Sequence, residues 1–449
     1  MRNRSMLLAL LIALTACSSH AKQSATPTES NNTQLISSVS SPSDPSSNGS
    51  TDPAATKVGN IHRSWTSPTL DGSVYAKPLF NGSSLIIATE NDSVYSLNAS
   101  NGKIQWHRSL GSPVPQSSLP CGNINPMGIT GTPVIDGGTH TIYVMAFLSS
   151  GPHHELFALN SYNGSIRWHH KVEAPHLGAT VEGTRGALGL ANGLVYIPFG
   201  GLYGDCGSYK GAVVAYPASG SGSSYSYVIP TKRGAGIWNP EGVVPDAHGD
   251  IWVSSGNSDS QSRFDYGNAI IRLSSHLKVL DYFAPSDWAG LNASDTDLGS
   301  VGPALVSNNR VLAAGKEGIA YILNKSHLGG VGGEIRSSHI CSRAFGTISW
   351  SGTTAFIACE DSLVAVSFAE DRFKVFWTSS GGHGPSIVTG SVVWSINSGG
   401  TLAAFNASKG SVRYQVSLRS PSSRFISPAT DSNIVVIAER NRIDAFALR

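Results

Sequence analysis

The stretch from Leu85 to Leu110 limits what this chain can fold into more than any other feature. It reads as three strands in succession: an apolar run from Leu85 to Thr89, a second from Val94 to Leu97, and a third from Ile104 to His107 that contains Trp106. Asn101-Gly102 separates the last two and supplies the positive φ that a tight hairpin requires. The first run is apolar on both faces, as in a strand covered on both sides. Such a triplet cannot bury both faces alone and needs copies stacked against it.

The chain holds those copies. Thr141 to Val172 repeats the order of run, run, turn and Trp, with Asn163-Gly164 as the turn and Trp168 in the aromatic place. Val392 to Leu418 does so again with Lys409-Gly410 and Tyr414. Looser copies begin near Arg185, Asn239, Ser300 and Ala344, and a last partial one holds Asn433 to Ala438 and Ile443 to Leu448. Together they make eight units with a period of roughly 40–60 residues, the length of four-stranded propeller blades with loop insertions. The expected fold is all-β, an eight-bladed antiparallel β-propeller. The eighth unit has no Trp strand of its own, whereas Ile61 to Thr66 reads as an orphan outer strand carrying Trp65. That N-terminal strand is therefore expected to complete the C-terminal blade and close the ring, which removes an open edge.

Ahead of the repeats lie two other segments. Residues 1–17 combine two arginines, an apolar core and a small-residue end, the pattern of a secretion signal. Leu14-Thr15-Ala16-Cys17 resembles the bacterial lipobox, which implies cleavage before Cys17 and lipid attachment to its sulfur. Residues 18–57 are Ser, Thr, Asn, Pro and Gln with few apolar side chains, so they are expected to be a disordered tether. Residues 58–449 form the propeller domain. The expected location is extracytoplasmic, lipid-anchored to a bacterial membrane.

Charge excludes one class of partner. Charged residues are 13% of the chain and the formal net charge is +2, so nothing favours nucleic acid. Apart from Cys17 there are four cysteines, and in an exported chain these favour two disulfides. Cys341 and Cys359 fall on consecutive strands of one unit and are paired, which leaves Cys121 with Cys206. The chain has no Cys-x-x-Cys-His, so no covalent c-type haem is encoded. The pairs His153-His154 and His169-His170 read as surface histidines.

The repeated ending Ala/Ser-x-x-Gly-Lys/Ser-x-x-Trp resembles the quinoprotein repeat of PQQ-dependent alcohol dehydrogenases, which also occurs in non-catalytic BamB-like lipoprotein propellers. The resemblance runs from about Ile61 to Leu448. Taken residue by residue it implies a site. Asp205 falls near a calcium-ligating Glu of the dehydrogenases, and Asn257 matches the Gly-Asn whose amide oxygen binds calcium. Trp238 stands where their indole forms the floor under the quinone. Asp295 resembles the catalytic Asp, and Asp297 the extra carboxylate of lanthanide-using members. Lys316 is similar to the cation that contacts the quinone oxygens, and Thr184 matches a cofactor-binding hydroxyl. Oxygen ligands from separate blades suit calcium, and an Asp can serve as general base. One departure is plain: where those enzymes carry two adjacent cysteines, this chain has Cys121-Gly122.

Two functions follow as expectations. The favoured one is a non-catalytic binding or scaffold propeller, monomeric, with a membrane anchor at Cys17 and a protein partner on one face. The alternative is a quinoprotein oxidising an alcohol or sugar with PQQ and calcium.

Overall fold

The computed structural model describes residues 60–448 apart from 383, 398, 420–424 and 432. The expected signal, Cys17 and the tether lie outside them. Strands form eight separate sheets, numbered here as blades 1 to 8 in chain order. Blade 1 is Leu79–Asn81, Ser84–Thr89, Ser93–Asn98 and Ile104–Ser109, paired antiparallel in that order. Blades 2, 6 and 7 repeat that order, and the innermost strands of successive blades touch around the ring.

Burial explains why these sequences become these strands. Middle strands are covered by neighbouring blades on both faces, and Ser93–Asn98 and Thr141–Leu148 are buried almost throughout. Outer strands alternate instead. Ile104–Ser109, Ile166–Lys171 and Val412–Ser417 share one pattern of exposed and half-buried positions.

The conserved spacing within the repeat has a contact that accounts for it. Each outer-strand Trp packs on the turn glycine of the next blade. Trp106 lies on Gly164 and donates its indole N–H to the Ser161 carbonyl at 3.3 Å. Trp377 does the same to Gly410 and Ala407, at 2.9 Å. A Cβ on Gly164 would stand 2.5 Å from the Trp106 ring, so the repeat needs glycine there for space as well as for its φ of +68°. Ring closure uses the same joint. Ile61–Thr66 pairs antiparallel with Arg442–Leu448 in blade 8, and its Trp65 docks on Gly102 and Ala99 of blade 1.

Blades 3 and 4 depart from the regular plan. Blade 3 adds the two-residue strand Glu182–Gly183. Blade 4 gains a parallel fifth strand, Gly330–Val331, on its outer Val279–Ala284. Both disulfides expected from the sequence are present, Cys121–Cys206 and Cys341–Cys359. The first ties the insertion after blade 1 to the hairpin loop of blade 3, over a small core of Val114, Ile124, Met127, Phe147 and Leu202.

One expectation needs correction. His154 is not a surface residue: it is fully buried, its ring stacked on Phe147 with centroids 4.4 Å apart. Side chains alternate along a strand, so adjacent histidines cannot share a face.

Candidate functional site

Chain direction places every candidate residue at one end of the ring. In each blade the hairpin between the second and third strands emerges on the same face as the connection to the next blade. Asp205, Asn257 and Lys316 lie in the loops joining those strands in blades 3, 4 and 5. Thr184, Trp238, Asp295 and Asp297 lie beyond the outer strands, in the segments that lead into blades 3, 4 and 5.

Four of them meet. The Lys316 ammonium is bound by the Asp297 carboxylate, lies 3.3 Å from Asp295 Oδ1, and stands 5.7 Å from the centroid of Trp238. Asn257 joins through its backbone, whose N–H donates to Asp297 Oδ1 at 2.6 Å. Gly256 makes this approach possible: a Cβ there would lie 2.5 Å from Asp297 Oδ1 and 3.0 Å from the Trp238 indole nitrogen. Asp297 is 3% exposed, and burial pushes its carboxyl up against the opposing pull of Lys316. Asp295, by contrast, has a side chain 66% exposed.

The rest stand apart from this group. Asp205 is exposed; its carboxylate accepts from the Tyr209 hydroxyl at 2.6 Å, and its carbonyl accepts from Arg233. Burial raises the Tyr209 hydroxyl pKa, and the bond to Asp205 adds to the effect. Thr184 is buried, with its carbonyl beside Gly131. Among the described residues, no three His, Cys, Asp or Glu side chains at this mouth stand ready to hold a metal ion.

The centre of the mouth belongs to a residue that sequence reasoning missed. Phe425, in the connection from blade 7 to blade 8, meets Trp238 edge-on with centroids 6.0 Å apart. It also meets Phe345 of blade 6 at 6.3 Å and lies beneath the Arg185 guanidinium, 4.7 Å from its ring centroid. Contacts to both sides of the ring put this side chain on the axis. Beside it is a small cavity lined by Tyr75, Lys77, Thr130, Thr132, Arg185 and Ser427, among others. The one available signal was a lone aromatic in a run of Ser, Arg and Pro from Arg419 to Phe425.

Buried acids surround the same end. Glu90 accepts from the Gly128 N–H at 2.8 Å and the Thr130 hydroxyl at 3.1 Å, and burial pushes its carboxyl up to about 7. Burial likewise raises Asp92 to about 8 and Glu182 to about 8.

Comparison with known proteins agrees with this architecture. Residues 63–255 match the family model described as outer membrane protein assembly factor BamB. No curated protein matches the sequence. Among solved structures, the chain is similar to quinohemoprotein alcohol dehydrogenase ADHIIG from Pseudomonas putida HK5, with a TM-score of 0.68 and 14% identity over 89% of this chain and 78% of that one. It is similar to BamB from Moraxella catarrhalis, with a TM-score of 0.59 and 12% identity over 87% and 98%. A europium-containing methanol dehydrogenase gives 0.63 and 13% over 86% and 93%. At these identities the likeness is one of fold. The chain is an eight-bladed β-propeller of PQQ-like repeats, matching the BamB family model over residues 63–255 and sharing its fold with BamB and with quinoprotein dehydrogenases.

Proposed function

We propose that this protein is a non-catalytic binding or scaffold propeller. It is held outside the cytoplasm by a lipid on Cys17 and receives a protein partner on the face that carries Trp238. The observation that carries this reading is the self-filled mouth. Phe425 occupies the axis between Trp238, Phe345 and Arg185, close to where a quinone ring would have to lie. The Lys316 ammonium already takes the place of a cation between Asp297 and Asp295. Calcium needs about six to eight oxygens. Here one Asp297 oxygen faces Lys316, the other accepts an amide N–H, and Asp205 is engaged by Tyr209. So arranged, the mouth does not fit PQQ with calcium. No helix among the described residues is long and apolar enough to cross a membrane.

A second reading keeps one observation in its favour. Trp238, Lys316, Asp295 and Asp297 do meet, as the resemblance to PQQ- and calcium-dependent dehydrogenases implies. In that reading Asp295 would be the base, Thr184 would help hold the cofactor, and Phe425 would have to leave the mouth.

Titration of the full chain with PQQ, in calcium and again in EDTA, separates the two. The expected result is no saturable change in Trp fluorescence or thermal midpoint at micromolar PQQ. Calcium-dependent saturation that Asp205→Ala or Asn257→Ala abolishes would make the dehydrogenase reading primary. The partner face is tested with a photoreactive side chain at Tyr203, which is 67% exposed on the mouth face, and at Tyr162, which is 68% exposed on the opposite one. Protein adducts from position 203 and not from 162 are expected; adducts from 162 alone would overturn the assignment of the face.

A further inference from the structure

We propose that a polar pocket on the mouth face, beside blade 1, receives a primary ammonium group, the side-chain end of a lysine on the partner protein. The lysine as its source rests on the scaffold reading above; the preference of the pocket for an ammonium does not. Three segments wall it. The connection into blade 1 supplies Asp71 and Tyr75, the hairpin between the second and third strands supplies Glu90 and Asn91, and the insertion after the blade supplies Ile124 and Pro126. Hairpin and connections share the mouth end, so all three segments emerge there. The cavity has a volume of about 70 Å³ and is separate from the smaller one beside Phe425, with Tyr75 on the wall of both.

Hydrogen bonding in its wall is incomplete. Glu90 is 2% exposed, and both of its bonds fall on one oxygen: Oε2 accepts from the Gly128 N–H at 2.8 Å and from the Thr130 hydroxyl at 3.1 Å. Oε1 has no hydrogen-bond partner among the described residues. A buried acceptor left in this way costs stability until a donor reaches it. Asp71 is the second acid. Its carboxylate accepts from the hydroxyls of Thr89 at 3.0 Å and Ser93 at 2.5 Å and from the Asn91 amide at 3.2 Å, and His107 Nε2 stands 3.6 Å away. A carboxylate takes about four such bonds, so Asp71 has room for one more donor.

What completes the two acids must donate, and a positive charge suits it best. Burial pushes the Glu90 carboxyl up to about 7, outweighing its two hydrogen bonds and Arg185, and an ammonium at Oε1 supplies the counter-charge that is still lacking. A metal ion is excluded by the donor set: among the described residues no three His, Cys, Asp or Glu side chains are placed to hold one. Guanidinium is flat and presents its donors in one plane, whereas an ammonium turns three N–H groups to separate sides. Glu90 and Asp71 approach from different segments, which favours the ammonium. The Tyr75 ring, Ile124 and Pro126 give the aliphatic stem of a lysine an aromatic and apolar wall.

The test is saturation-transfer NMR of the full chain with n-butylammonium chloride, which copies the end of a lysine, at constant ionic strength. Tetramethylammonium chloride, equally charged but without an N–H donor, is the control. Saturable transfer to butylammonium and little to tetramethylammonium are expected. Glu90→Gln and Asp71→Asn should each weaken it by about tenfold. Asp136→Asn, in the first hairpin of blade 2 at the opposite end of the ring, should leave it unchanged. Thermal midpoints check that the variants fold; Glu90→Gln, which keeps the shape of the side chain, decides alone if Asp71→Asn does not. No saturable transfer, equal transfer to both cations, or transfer unaltered by Glu90→Gln would overturn the pocket. The lysine is tested by repeating the crosslinking at position 203 in the Glu90→Gln background, where the adduct yield should fall severalfold. An unchanged yield would overturn the lysine as the source. Absence of adducts at 203 in the parent chain would instead count against the scaffold reading, and the butylammonium titration would still decide the pocket.

Discussion

Phe425 and Trp238 meet edge to face at the channel mouth, ring centroids 6.0 Å apart and planes at 86°. They come from opposite sides of the ring, one from the connection into blade 8 and the other from the connection into blade 4. Their contact closes the axis with side chains rather than with backbone, so a single truncation reopens it. Phe425→Ala should raise the quenching of Trp238 by acrylamide, and the gain should vanish in a Trp238→Phe background. An unchanged quenching constant would mean that Phe425 does not shield the indole.

Lys316 is predicted to be worth more for what it neutralises than for what it attracts. Its side chain is 12% exposed and that of Asp297 is 4% exposed, so removing the ammonium leaves a buried carboxylate without its counter-charge. Lys316→Ala should cost about 3–5 kcal/mol, and adding Asp297→Asn should recover a large part of it. Urea unfolding of the two single variants and the double variant measures both effects. Equal loss in Lys316→Ala and in the double variant would show that the stranded Asp297 charge is not what the substitution costs.

The joint between Trp65 and Gly102 closes the ring, and breaking it should open the molecule at that place. Trp65→Ala removes a ring that is 9% exposed and should cost about 3–5 kcal/mol. Gly102→Ala leaves the Trp in place but puts a Cβ 2.4 Å from it at a φ of +70°, and it should also destabilise. In both variants limited proteolysis should cut first near Ile61–Thr66. Cleavage that begins elsewhere would place the weakest joint in another blade.

Stability should fall as pH rises, because the buried acids keep their protons in the fold. Glu90 is pushed from 4.5 to about 7, and Asp92 from 3.8 to about 8, in each case chiefly by burial. A raised acid contributes its stability in full below its unfolded value and loses it as pH climbs through the folded one. The thermal midpoint should therefore drop between about pH 5 and about pH 8. Glu90→Gln, uncharged and of the same shape, should lessen that drop by on the order of 1–3 kcal/mol. A variant with the wild-type slope would assign the pH dependence to other groups.

The fold was legible because its information is local and repeated. Ala99, Gly102 and Trp106 recur as Ser161, Gly164 and Trp168 and as Ala407, Gly410 and Tyr414, and each spacing reports a tight turn followed by an outer-strand aromatic ring. The orphan Trp65 strand could be assigned to blade 8 for the same reason. Cys341 and Cys359 could likewise be paired, although Cys341 lies in the segment leading into blade 6 and only Cys359 is on a strand of that blade.

What fills the mouth is not local. Lys316 lies twenty-one residues after Asp295 in sequence, yet the ammonium sits on Asp297 and beside Trp238 only because blades 4 and 5 bring their loops to one end. Phe425 carries no periodic signal; of its partners, Arg185 and Trp238 lie on two other connections and Phe345 on the first strand of blade 6. His153 and His154 look alike in the sequence, and the pairing of one strand with the next turned the first outward to Glu155 and the second into the core. The repeat determined the ring, since each blade repeats a short-range pattern of burial and turn. The site was decided by closure of the ring, which brings residues with no sequence relation into contact.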